Sequence, residues 1–190
     1  SLKNEIVRKF IHLASVVIPL SYIYIINDLI VMLCILSFFV IFSFFIEILR
    51  TNHFKSSKIF LRLFGFMLRE NEKKNKLTGA TWVFLGALFT FILIPYPFSI
   101  LALLFLSVGD TFAAIIGIRF PFIKIGNKTL SGFIAGFISS ILVGICFNLP
   151  VSIYILLFGA LMASVIEIIP ISVNDNITIP LFSGSMMYFA

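Results

Sequence analysis

Three acidic residues stand beside short polar motifs in an otherwise apolar sequence: Asp110, Glu167 and Asp175. Their carboxylates are hard oxygen ligands of the kind that Mg²⁺ prefers. Cationic residues of the types that bind phosphate groups accompany these motifs: Arg8, Lys9, Lys76, Arg119, Lys124 and Lys128. Phosphoryl and nucleotidyl transfer need this combination, because a metal and cations neutralise the developing charge. We therefore expect such a transfer, with the three acids as metal ligands.

The composition indicates which fold must position these side chains. Of the 190 residues, 61% are hydrophobic and 12% are charged, against about 25% charged in an ordinary soluble domain. Soluble, disordered and disulfide-scaffold classes are excluded by this stock of residues. A helical span needs about 20 residues, so about seven spans leave no room for a soluble domain. The sequence predicts one integral membrane domain over 1–190, an all-α polytopic transmembrane helical bundle.

The apolar runs give the predicted spans, at about 10–26, 29–49, 78–94, 98–118, 130–147, 151–169 and 177–190. The first run follows basic residues, as a signal peptide does, but it has no clear small-x-small cleavage site. We therefore expect it to remain as the first span.

The basic residues predict the sidedness of the bundle. All 14 Lys and Arg residues fall in the N-terminus, in the loop at about 50–77 and in the loop 119–129. By the positive-inside rule these parts are cytoplasmic and the C-terminus lies outside. The net charge of +6 then reflects topology, so no nucleic-acid partner is expected. We interpret the basic amphipathic stretch from Lys55 to Arg69 as an interfacial helix between spans 2 and 3, a solvated loop being the alternative.

The first polar motif enters the first span. Glu5, Arg8, Lys9 and His12 are spaced i, i+3, i+4, i+7, so they share one face of a helix. The plain alternative is a positively charged membrane anchor with a satisfied histidine.

The second motif runs from Lys76 to Thr81 at the start of the third span. Thr78 is a plausible N-cap of that helix. Bare N–H groups at a helix start, with Lys76 adjacent, favour an anion. An ordinary helix cap is the alternative.

The third motif places Gly109-Asp110 inside an apolar segment. A buried aspartate is costly unless it is paired or bound to a cation, and Lys128 and a divalent metal are the two candidates. Lys128-Thr129 follows in the next loop, but it is not a P-loop, because the first glycine of that motif is absent. Small residues then recur every four positions and favour close helix packing: Gly132, Gly136, Ser140 and Gly144.

The fourth motif joins Glu167 and Pro170 to a polar segment that begins at Asn174. Asp175 or Asn176 is suited to cap the last helix, whose Pro180 favours a break or tilt. Acids in a cytoplasmic loop without Lys or Arg suggest metal ligation, with capping alone as the alternative.

At these residues the chain resembles the polyprenol kinase family, which includes dolichol kinase, phytol kinase and the CTP-dependent diacylglycerol kinase. The motifs that carry the resemblance occur in the family's order over almost the whole chain: Glu5-x-x-Arg8-Lys9-x-x-His12, Leu77 to Trp82, a nucleotide-binding-like region at about 109–132, and a C-terminal motif at 167–181. The last two are most similar to the phytol kinase branch.

The resemblance implies CTP-dependent, Mg²⁺-assisted transfer of the γ-phosphate to a membrane lipid alcohol, an isoprenoid alcohol such as a polyprenol or phytol-like prenol. ATP stays open as the donor. The enzyme would be a multi-pass protein of a bacterial-type inner membrane, with its active site on the cytoplasmic face. We expect the lipid tail to lie between helices, beside the ladder Gly132–Gly144.

The motifs and the resemblance together imply roles for individual residues. The expected catalytic residues are Asp110, Asp175 and Lys128, and the expected metal ligands are Asp110, Glu167 and Asp175. The expected cofactor-binding residues are Arg8, Lys9, His12, Lys76, Thr78, Thr81, Lys124, Thr129 and Asn176.

One departure concerns Ser131, which stands where several family members have an acid. If that acid holds a metal in those members, this chain binds its metal differently or draws on Glu167.

Two other functions are weighed against the kinase. A CDP-lipid synthase would carry a Ser-x-x-Lys-Arg-x-x-Lys-Asp signature, which this sequence lacks. A small transporter would place charges near the membrane midplane and show repeat symmetry, whereas these charges crowd one face.

Overall fold

The computed structural model describes residues 8–10, 12–52, 60, 62, 65 and 77–190. Each of the seven predicted apolar segments is helical there: α1 Arg8–Ile26, α2 Leu29–Asn52, α3 Gly79–Leu93, α4 Phe98–Arg119, α5 Leu130–Phe147, α6 Ile153–Ile168 and α7 Asp175–Phe189. A two-stranded antiparallel hairpin, β1 Lys124–Ile125 and β2 Lys128–Thr129, joins α4 to α5. The predicted mostly helical architecture is confirmed.

Four of these helices are long and apolar enough to cross a membrane, namely α1, α2, α4 and α5. The apolar helices α3 and α6 have 15 and 16 residues, and α7 has 15. The full set of seven spans and their sidedness therefore stay predictions. The predicted interfacial helix from Lys55 to Arg69 lies outside the described residues, apart from positions 60, 62 and 65.

Local sequence explains where the helices around the hairpin begin and end. Helix α4 ends at Arg119 because Phe120 precedes Pro121, and the residue before a proline disfavours helical conformation. Thr129 begins α5 as its N-cap and accepts a hydrogen bond from Gly132 N–H at 3.1 Å. At the other end of the chain, α7 continues through Pro180, so the predicted break is not seen.

Helix α4 is the centre of the bundle. Its residues from Ser99 to Leu106 are all buried, on every face of the helix. It contacts α1, α5, α6 and α7, whereas α2 packs at the periphery, mainly against α3. A helix that is apolar all round is a core helix, and any charged group placed on α4 is therefore removed from water.

The small-residue ladder of α5 closes the interface with its neighbours. A Cβ on Gly132 would lie 2.8 Å from the carbonyl oxygen of Ala113, and one on Gly144 would lie 2.7 Å from a methyl group of Leu156. Close helix packing therefore fills the face at which we expected a lipid tail.

Glycine also allows α3 to approach α7. A Cβ on Gly86 would collide with the backbone carbonyl of Asn176, whereas a Cβ on Gly159 would meet only the flexible side chain of Met187. We predict that Gly86→Ala lowers stability by about 1–3 kcal/mol, because a backbone must move. Gly159→Ala is the matched control and should lower it less. Thermal unfolding in detergent measures both, and equal melting temperatures would contradict this packing.

Candidate functional site

The carboxylate of Asp110 is held inside the bundle by two side chains of α1. Lys9 Nζ donates to Asp110 Oδ2 at 2.5 Å, and His12 Nε2 lies 3.3 Å from the same oxygen. Asp110 is 5% exposed and Lys9 is 9% exposed. Of the two candidates, Lys128 makes no ion pair with Asp110 among the described residues and the divalent metal stays a prediction; the observed counter-charge is Lys9, 101 positions away in the sequence.

A change of helical geometry in α4 prepares this contact. Residues Phe105–Gly109 form a π-helical turn, and the N–H of Asp110 donates to the carbonyl of Phe105. In an α-helix that N–H would go to Leu106. The Leu106 carbonyl instead lies 3.3 Å from His12 Nε2. Because a carbonyl only accepts, Nε2 carries the hydrogen in this contact.

A second cluster forms around Lys128 of β2, which lies between the end of α6 and the start of α7. Lys128 Nζ donates to Glu167 Oε1 at 3.1 Å and to Asp175 Oδ2 at 3.5 Å. Burial alone would lower the pKa of the Lys128 ammonium, but the two carboxylates outweigh burial and raise the pKa above its usual value. Lys128 therefore keeps its charge at neutral pH.

The two clusters meet at a small void between α4, α5 and α6. Asp110 and Glu167 both line it, with Gly136 between them. Among the described residues, Asp110 Oδ1 and Ser140 Oγ are buried polar atoms with no hydrogen-bond partner. The four expected catalytic and metal-binding residues thus lie in two adjoining clusters, with Asp110 and Glu167 on the same void and Lys128 bonded to Glu167 and Asp175.

The carboxylate oxygens of this region suit a metal ion that also binds phosphate oxygens of a ligand. Within the part of the chain that the structure describes, no three His, Cys, Asp or Glu side chains converge as a complete metal site. Mg²⁺ in phosphate-binding sites commonly uses one or two carboxylates and completes its shell with phosphate oxygens and water. The unpartnered Asp110 Oδ1 and the Asp175 carboxylate, whose side chain is 43% exposed, fit that kind of site.

Glu47, a buried acid near the end of α2, belongs to none of the four predicted motifs. Its Oε2 accepts from Arg50 Nη2 at 2.6 Å, and its Oε1 accepts from the N–H of Thr78 at 2.7 Å and from Thr81 Oγ1 at 3.2 Å. The signal was present in the sequence as an acid within an apolar run, three residues before an arginine.

This arrangement changes the interpretation of the second motif. Thr78 is the N-cap residue of α3, as predicted, but its side chain makes no capping bond. The Glu47 carboxylate takes the Thr78 N–H instead, so a carboxylate of the protein itself stands at the helix start where we expected an anion.

The structure describes most of the remaining expected site residues. Asn174, not Asp175 or Asn176, caps α7, and the Asn176 amide donates to the carbonyl of Gly79 at 3.3 Å. Lys124 is exposed on β1. Glu5 and Lys76 lie outside the described residues.

A cleft of about 1000 Å³ opens between α1, α2 and α3 and reaches the start of α7. Its polar end is lined by Arg8, Lys9, His12, Asp110, Asp175 and Asn176. From there it continues as an apolar trough lined by Val17, Ile18, Met32, Ile35, Leu36 and Phe39. The cleft can therefore hold a molecule with a charged head and a long apolar tail.

Comparison with known proteins gives two relatives. The chain is 29% identical over 184 residues to an uncharacterized protein of Rickettsia prowazekii, covering 92% of this chain and 88% of that protein. It is 31% identical over 140 residues to a CTP-dependent diacylglycerol kinase of Saccharomyces cerevisiae, covering 71% of this chain and 47% of the yeast protein. The chain thus spans about half of the yeast relative.

No protein-family model and no solved structure matches the chain. The distant similarity to the yeast enzyme confirms, at a coarse level, the predicted likeness to a lipid kinase. The phytol kinase branch stays a prediction.

The Glu47 cluster generates a stability prediction. Glu47→Gln should destabilise the protein by about 3–5 kcal/mol, because the buried Arg50 loses its carboxylate. Asp28→Asn is the matched control: Asp28 also accepts a helix-start N–H, from Val31 at 2.9 Å, but it is exposed and asparagine caps equally well. Thermal unfolding in detergent should separate the two variants. Equal stability would show that Glu47 does not hold α2 to α3.

Proposed function

We propose that this protein phosphorylates a lipid alcohol in the membrane, with CTP as the phosphoryl donor and Mg²⁺ as the metal. The observation that carries the proposal is the cleft, in which one continuous space joins a polar end to an apolar trough. A lipid alcohol has this same division between a hydroxyl head and an apolar tail. The similarity to a CTP-dependent lipid kinase supports the same reaction.

The trough favours an acceptor that stays in the membrane. Its lining comes from α1 and α2, both long enough to span, so a tail placed there remains beside the hydrocarbon core. The hydroxyl of such a lipid would then lie against Asp110 and Asp175 at the polar end. We propose an isoprenoid alcohol as the acceptor. Diacylglycerol, which the yeast relative's name indicates, belongs in the same test.

The polar end supplies groups for the phosphates. Arg8 and Lys9 line it, and Lys128 stands behind Asp175. Their positive charges are placed to bind phosphate oxygens and to stabilise the leaving diphosphate. Mg²⁺ held by Asp110 and Asp175 would supply further neutralisation of phosphate charge when bound.

The two aspartates differ in what they can do for the hydroxyl. Asp110 is fixed by Lys9 and His12 and is almost fully buried, which suits a permanent electrostatic role. The Asp175 side chain is 43% exposed and is held by one long contact to Lys128. We therefore propose Asp175 as the general base that takes the proton from the lipid hydroxyl. The lipid oxygen bonds to the γ-phosphorus, the bond from that phosphorus to the β–γ bridging oxygen breaks, and CDP leaves.

A product assay tests the reaction. Purified protein is incubated with Mg²⁺, CTP or ATP, and one lipid from a panel of prenols, phytol and diacylglycerol. CDP with a lipid monophosphate supports the proposal and names the acceptor. Pyrophosphate with a CDP-lipid would instead indicate a CDP-lipid synthase. Failure to consume either nucleotide with any lipid would contradict a kinase and favour a transporter.

The assigned roles predict a difference between two variants. Asp175→Asn should lower kcat about 10²-fold or more, because a general base is lost, while the partly exposed position leaves stability unchanged. Asp110→Asn should abolish turnover and also lower the melting temperature, because the buried Lys9 loses its carboxylate.

Asp28→Asn, in the turn before α2 and not among the residues that line the cleft, serves as the control for both variants. Gel filtration in detergent confirms that each protein is folded before its kinetics are measured. Full activity of Asp175→Asn would show that Asp175 is not the general base. Full activity of Asp110→Asn would contradict the whole proposed site.

A further inference from the structure

The loop that joins α4 to α5 presents apolar side chains away from the protein. Every residue from 118 to 127 is exposed. Phe120 is 63% exposed, Phe122 61% and Ile123 55%. These side chains do not pack in the core, so core packing does not explain why they are apolar.

The backbone at the base of the hairpin, just before β1, adopts an uncommon conformation. Ile123 has φ 43°, in the left-handed region that a β-branched residue disfavours. Such a conformation persists where other interactions compensate for it. The Ile123 carbonyl accepts a hydrogen bond from the N–H of Leu130 at 2.9 Å, so pairing across the base of the hairpin holds these apolar side chains in their exposed positions.

Two physical constraints fix the depth of the hairpin. Its backbone cannot enter the hydrocarbon core, because only two short strands are paired and their outer N–H and C=O groups would lack partners there. Its phenylalanine and isoleucine side chains are unfavourable in water. The hairpin also connects the ends of two helices, α4 and α5, that are long enough to span. The boundary between headgroups and acyl chains satisfies both constraints.

The basic residues of the same loop favour lipids with anionic headgroups. Arg119 and Lys124 are exposed, and neither has an ion-pair partner among the described residues. The sequence contains no Asp or Glu between Asp110 and Glu167. A basic surface at headgroup level attracts anionic phospholipids, and each Lys or Arg near the surface adds to that attraction.

We propose that residues 118–127 form a membrane-surface site that inserts Phe120, Phe122 and Ile123 and binds anionic phospholipid headgroups through Arg119 and Lys124. The site is separate from the cleft, which these residues do not line. It is also independent of the proposed reaction. The inner strand of the same hairpin carries Lys128, so the structure joins the lipid-facing loop directly to the carboxylate cluster.

Fluorescence quenching by brominated lipids tests the site. The chain contains one tryptophan, Trp82, so Trp82→Phe with Phe122→Trp gives the full-length protein a single reporter at the hairpin. It is reconstituted into vesicles of phosphatidylcholine and phosphatidylglycerol, with the bromine on one lipid or the other at equal total bromine. We expect quenching in both, stronger on the order of two-fold when the anionic lipid is brominated.

Two further variants make the result decisive. Adding Arg119→Gln and Lys124→Gln should remove the preference for the anionic lipid and leave the quenching itself. Tyr154→Trp in the Trp82→Phe background is the control, because Tyr154 is 80% exposed at the start of α6 and has no basic residue nearby in the sequence. It should be quenched equally by both lipids.

The readout is spectroscopic and does not require turnover, so it is independent of the proposed kinase activity. Absence of quenching at Phe122→Trp would overturn the proposal. Equal quenching by the two brominated lipids at that position would overturn it as well.

Discussion

The structure depends on the ion pair between Lys9 and Asp110. A carboxylate on the central helix α4 is removed from water and would be costly without a counter-charge. Lys9 and His12 supply that partner from α1, and Ser15 extends the contact to Ser107 at 2.7 Å. The need to neutralise one buried carboxylate therefore docks the first helix against the centre of the bundle and forms one wall of the cleft.

The opposite wall follows the same physical rule. Glu47 is neutralised by Arg50 one turn away on α2, and its other oxygen takes hydrogen bonds from the start of α3. The buried Glu47 carboxylate thus pairs with Arg50 within α2 and also binds the start of α3. Between the two walls the cleft is lined mostly by apolar side chains of α1, α2 and α3, with the small hydroxyl groups of Ser15, Ser21 and Ser43 among them. The cleft is therefore charged at one end and largely apolar along its length.

The sequence predicted the helices well and the side-chain partners poorly. Apolar runs determine where a membrane helix begins and ends, so all seven segments appear close to their expected bounds. Pairing depends on packing over long separations: Lys9 and Asp110 are 101 positions apart, and nothing local distinguishes Lys9 from Lys128. Glu47 was missed because it belongs to no recognised motif. Its spacing from Arg50 was the available signal.

The charge balance of the cluster gives a physical reason for a metal in the proposed reaction. Among the described residues at and behind the polar end, the carboxylates of Asp110, Glu167 and Asp175 are matched by three cations, Arg8, Lys9 and Lys128. A nucleoside triphosphate adds several negative charges to a region that is already balanced, in surroundings where charges are screened weakly. Binding is then favourable only if positive charge enters with the nucleotide, and a divalent cation on the unpartnered Asp110 Oδ1 would bring it.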